Sequence, residues 1–148
     1  MTESDDHEDD PADVARWLSE HRAHVAEYLH DEGVPHGPIA VEPAWHIAPH
    51  VSIWEVEDAG RPQWRGLWVI CGDLPTDYIP AEGIEHAREA MRAFGARWIE
   101  AAGYMARGKS YPGMEIGTPS DWPTLVPLLT SRAQLLKEWA NLGSLWGN

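Results

Sequence analysis

A chain of 148 residues that is 43% hydrophobic is the size of one ordinary domain and can bury a continuous core without disulfides or a structural metal. Six of its 24 acidic residues fall in the first ten positions and the rest still outnumber the 11 basic ones, so the formal charge of -13 disfavours nucleic acid as a partner. No run approaches the ~20 apolar residues of a membrane span, the N-terminus lacks the basic and apolar regions of a signal peptide, and Cys71 is the only cysteine, which together lead us to expect a cytoplasmic protein with no membrane partner.

Residues 1–10 carry too few apolar side chains to offset the entropy cost of ordering, so we expect a disordered acidic tail followed by a single globular domain over 11–148. From Pro11 onward, Val14, Trp17, Leu18, His21, Val25, Tyr28 and Leu29 recur at three and four, which predicts an amphipathic helix ending at Gly33. Prolines at 35, 38, 43 and 49 then forbid a helix, although a third strand fits near 39–47. Two apolar segments at about 51–57 and 64–71, separated by Asp58-Ala59-Gly60-Arg61-Pro62, read as a hairpin. Both are apolar on nearly every position and need cover on both faces.

A second helix is expected over 84–107, with Ile84, Ala87, Met91, Phe94, Trp98, Ala102 and Met105 on one stripe and Gly108 as its stop. A third is cued by Ser120 and Asp121, with Pro123 and Pro127 disturbing its first turns before 128–142 becomes regular. Its core face would carry Leu125, Leu128, Leu129, Leu136 and Trp139. The fold class is therefore α+β, a small antiparallel sheet centred on the hairpin and covered by three main helices.

The stretch from Cys71 to Pro80 is the densest in information and reads as a polar turn in which Pro75 presets the backbone and Asp73 or Asp77 caps it. Its functional reading makes Asp73 and Asp77 a cation-binding or acid–base pair beside Thr76 and Tyr78. His50 and His46 lie four apart in an extended segment, about 13 Å from each other, too far to share a metal unless the chain bends. Glu55 is a carboxylate inside an apolar strand, either edge-exposed or a hidden base. Arg88 stands at the start of the second helix, in reach of the Asp73 and Asp77 turn for a salt bridge or anion contact.

His21 falls on an apolar stripe, where a hydrogen-bonded core histidine is the ordinary account. Cys71 has no basic neighbour in sequence to activate it. Nine tryptophans against one phenylalanine is the strongest compositional oddity. Trp17, Trp98 and Trp139 belong to helical stripes and the core, whereas Trp45, Trp54, Trp64 and Trp68 fall in the strand-rich middle, where a ligand groove or partner surface is open to them.

The run Pro43-Ala44-Trp45, Ala48-Pro49-His50-Val51, Ile53-Trp54 and Trp68 through Ile79, continued by Arg97-Trp98, Leu128-Leu129 and Ser131-Arg132-Ala133, resembles a family of small bacterial proteins called domain of unknown function 4826. The resemblance implies no particular activity, substrate or cofactor.

No nucleophile–base pair, metal signature or phosphate loop appears, so the sequence points to a non-catalytic ligand-binding or protein-interaction module, with no cofactor and its site at the 71–79 turn. That surface would use Trp45, Trp54 and Trp68 with Asp73, Thr76, Asp77 and Tyr78, and its partner would be a protein or a small molecule. A small hydrolase or metal-assisted enzyme uniting Asp73, Asp77, His50 and Glu55 is the first alternative. A structural subunit that forms a homodimer or pairs with another chain is the second.

Overall fold

The computed structural model describes residues 10–48, 50–114 and 116–147, so the expected acidic tail lies outside the described residues except for Asp10. These residues fall into two compact units, one ending at Ala87 and one beginning at Arg88.

The first unit opens with helix α1, Pro11–Asp31. Asp10 is its N-cap, its side chain accepting the Ala12 N–H, and Pro11 occupies the first turn, where a missing donor costs nothing. Gly33 turns left-handed at φ 68° and lets Val34 N–H close on Leu29 C=O, which stops the helix where the sequence predicts. The predicted stripe is the inward one: Val25 and Leu29 are fully buried, and Leu18 and Tyr28 pack beside them.

Four antiparallel strands follow in spatial order, β1 Trp45–Ile47, β2 Val51–Glu57, β3 Arg65–Gly72 and β4 Leu74–Pro80. The predicted hairpin is β2–β3, and the segment before it meets β2 twice, through Trp45↔Ile53 in β1 and an isolated Ile39↔Val56 bridge. The 71–79 segment corrects the expectation of a turn, since residues 74–80 form a strand with Trp68↔Ile79 and Ile70↔Asp77 in register. Prolines made it look like a loop, yet Pro75 and Pro80 are tolerated because β4 is an edge strand.

Pairing divides the sheet into two faces. Ser52, Trp54, Val56, Val69, Cys71 and Tyr78 share one with Thr76, and Val25, Leu29 and Ile39 pack on it to form a buried cluster. Trp45, Ile53, Glu55, Trp68, Ile70, Asp77 and Ile79 point the other way.

Helix α2 spans Ala87–Ala106, all but its first residue in the second unit, which also holds α3, Trp122–Asn141, and a 3-10 turn over Gly143–Trp146. The start expected at Ile84 moves to Ala87, because Ile84 sits in a turn whose N–H bonds Ala81 C=O. The irregularity expected before Leu128 is absent: α3 is helical from Trp122, with Pro123 in its first turn and Pro127 costing only one bond, to the carbonyl four residues back. That register leaves Leu128 52% exposed and gives the buried face to Trp122, Leu129, Ala133, Leu136 and Ala140. Gly95 of α2 lies against Ala133 and Leu136 of α3, a close helix approach that a side chain would obstruct. Among the described residues no helix is long and apolar enough to cross a membrane.

Candidate functional site

One polar residue interrupts the apolar inner face of β2. Ser52 is fully buried beneath α1, and its hydroxyl gathers three neighbours: His21 Nδ1 at 2.6 Å, Trp54 Nε1 donating at 2.8 Å and Cys71 Sγ at 3.4 Å. Cys71 Sγ is also 3.3 Å from His21 Nδ1. The helix periodicity that points His21 inward and the strand alternation that points Ser52, Trp54 and Cys71 the same way are what assemble the group.

Burial dominates its electrostatics. It lowers the pKa of His21, helped by the nearby His24 and opposed by Asp73 and Glu20, and it raises that of the Cys71 thiol, against hydrogen bonds from Ser52 and Trp54 that favour the thiolate. At neutral pH the cluster therefore holds a neutral imidazole and a protonated thiol. A thiol that stays protonated and is 1% exposed has neither the charge nor the access of a nucleophile. The group fastens α1 to the sheet.

Further polar contacts surround it. Trp17 lies with its ring centroid 4.0 Å from that of His21 and 6.2 Å from that of His46. His24 Nε2 is 2.9 Å from Thr76 Oγ1, tying the helix to the edge strand. At the end of the sheet, His50 Nδ1 is 3.3 Å from Asp73 Oδ2, with both side chains more than half exposed. Gly72 makes that corner possible: at φ 142° its α-carbon comes so close to His50 that an added Cβ would sit 2.1 Å from the His50 carbonyl, and Asp73 N–H bonds the same carbonyl at 2.7 Å.

The residues singled out in the sequence separate. His50 and Asp73 meet, and Trp54, Thr76 and Tyr78 share the α1 face. Trp45, Glu55, Trp68 and Asp77 lie on the opposite face, so the three tryptophans do not line one groove. Glu55 accepts Arg65 Nε at 3.1 Å and is a partner in an ion pair rather than a hidden base. Trp68 is buried and donates to Ile84 C=O at 2.9 Å. Arg88 donates to Ala140 C=O at 2.7 Å, within the second unit, where it satisfies the C-terminal end of α3. Among the described residues no three His, Cys, Asp or Glu converge in a way that could hold a metal ion.

What the sequence did not reveal is a groove of about 280 Å³ beside α1. Leu18, Ser19 and Arg22 form one wall, Val41, Glu42 and Pro43 the other, and Trp54 lies at its base. Both walls are fixed. Arg22 reaches across to donate to the Ile39 and Ala40 carbonyls at 2.8 and 2.9 Å, while Ala40 N–H and Ala44 N–H bond Glu55 C=O and Ile53 C=O on the edge of β2. Val41 stands at the rim 84% exposed, and Glu42 is exposed beside it. The one sequence signal for this site was Trp54, whose position in a strand-rich middle left its role open.

The sequence model of a family described as Domain of unknown function (DUF4826) matches residues 12–146. No curated protein and no solved structure matches the chain.

Proposed function

The chain belongs to the DUF4826 family over nearly its whole length, and from that premise we propose that it works in the cytoplasm as a non-catalytic binding module whose ligand enters the groove above Trp54. The observation that carries this reading is a ready-made concavity with anchored walls, an aromatic base, an apolar rim at Val41 and one charge of each sign, Arg22 and Glu42, along its sides. Pre-organised walls reduce the ordering cost of binding. At about 280 Å³ the space is at the small end of ligand pockets and suits a small molecule or one apolar side chain of a partner protein, including a second copy of this chain. The acidic balance keeps nucleic acid unfavourable. The hydrolase alternative draws no comparable support, because it needs Asp73, Asp77, His50 and Glu55 together.

Native mass spectrometry on untagged protein from gentle purification tests the site. A small molecule or partner retained by the wild type should be lost from Ser19→Trp, which fills the groove from its helical wall, and kept by Asp73→Asn. Loss in Asp73→Asn with retention in Ser19→Trp would return the site to the β3–β4 corner.

A further inference from the structure

The Ser52 hydroxyl connects the base of the groove to a titratable ring on the helix above it. Trp54 donates to Ser52 Oγ, and the same oxygen contacts His21 Nδ1 and Cys71 Sγ. A serine hydroxyl has one proton and two lone pairs, and an indole nitrogen only donates. Among the contacts of the Ser52 hydroxyl, His21 Nδ1 is the one strong acceptor, since the indole only donates and a thiol sulfur accepts weakly, which assigns the Ser52 proton to a neutral His21 that carries its own hydrogen on Nε2. One lone pair of Ser52 then receives Trp54 and the other faces the Cys71 thiol.

Protonation of His21 puts a hydrogen on Nδ1. The His21–Ser52 contact survives only with its direction reversed, so the Ser52 oxygen accepts from His21 and Trp54 together and its own proton turns towards Cys71 Sγ. The thiol hydrogen then has the His21 carbonyl, 3.9 Å away, as its acceptor. Facing the ring are Glu20 and His24 of α1, Asp73 at the β3–β4 corner, Cys71 of β3 and, beyond the Trp17 ring, His46 of β1. Burial and His24 oppose the charged ring, whereas the Asp73 and Glu20 carboxylates favour it.

We propose that His21 is a proton switch at the base of the groove: its protonation reverses the Ser52 hydrogen bond, so that the oxygen receiving the Trp54 indole must accept a second donor, and the bond that holds Trp54 comes to depend on acidity. The consequence for ligand rests on the groove being the binding site; the switch itself is read without any ligand.

The test is an assigned NMR titration of the intact protein from about pH 8 to about pH 5, the range in which histidines ionise. The Trp54 indole N–H resonance should move with the same midpoint as the His21 ring, stop moving in His21→Gln and still move in His24→Gln. An indole resonance that is flat through the His21 titration, or that follows His24 or Asp73 instead, overturns the proposal. Should His21→Gln not fold, agreement or mismatch of the two midpoints in the wild type decides alone. A flat indole leaves the groove standing as a binding site, whereas a moving indole supports the switch even if no ligand is found there.

Discussion

His21 and Cys71 sit 3.3 Å apart, and burial moves their proton affinities in opposite senses towards the same end, an uncharged pair. For His21, whose pKa falls below the ordinary 6.5 on folding, the unfolded chain binds the proton first as pH drops, so its stabilising contribution is complete above pH 6.5 and is lost below it. For Cys71, whose pKa rises above the ordinary 9.0, the unfolded chain loses the proton first as pH climbs, so its contribution is complete below pH 9.0 and is lost above it. Urea unfolding midpoints across this range should therefore decline at both ends, with the acid decline reduced in His21→Gln and the alkaline one reduced in Cys71→Ala. Slopes unchanged by either substitution would contradict this account of the cluster. His21 was legible in part, because it lies on an apolar stripe and such a histidine needs a partner. The partners were not legible, since Ser52 is 31 and Cys71 is 50 residues away and only strand register brings them under the helix.

At the scale of elements, periodicity decided what could be read. The α1 stripe follows from spacing and the β2–β3 hairpin from two apolar runs about the Asp58–Pro62 turn, but β4 was hidden because Gly72, Pro75 and Pro80 carry turn chemistry that an edge strand also tolerates. In α3 the leucine spacing gave Leu128 to the core, whereas small residues set the real seam, with Ala133 facing Gly95 of α2. An alanine Cβ at Gly95 would meet the Ala133 carbonyl at 3.2 Å and Lys137 Cγ at 3.1 Å; the lysine can swing away and the backbone oxygen cannot. Overpacking costs ~1–3 kcal/mol against a helix-propensity gain of ~1 kcal/mol, so Gly95→Ala should destabilise. Gly103, on the same helix, has nothing within 4 Å of its would-be Cβ, and Gly103→Ala should stabilise by ~0.5–1 kcal/mol. Equal stabilisation by both in chemical denaturation would mean that the α2–α3 seam is looser than its geometry indicates.

The described residues are α+β, with three α-helices and a four-stranded antiparallel sheet, and the candidate site belongs entirely to the first unit. The order of the predicted elements made that fold class readable, yet it could not place the site, because the groove is made by two segments about twenty residues apart, Ala15–Arg22 and Val41–Pro43, that meet over Trp54. Trp98 is buried as its helical stripe predicts; of the tryptophans in the strand-rich middle that were open to recognition, Trp54 and Trp68 are buried too, and Trp64, under the Arg61 guanidinium, is the large aromatic side chain most open to solvent. The central claim, that ligand is bound above Trp54 and not at the His50–Asp73 corner, is most directly tested by mapping amide shifts while a library of small apolar and amphipathic compounds is screened by NMR. The account predicts that binders move Leu18, Ser19, Val41 and Glu42 and leave His50 and Asp73 in place. Binders that gather instead at His50, Asp73 and Thr76, with the groove amides unmoved, would contradict it.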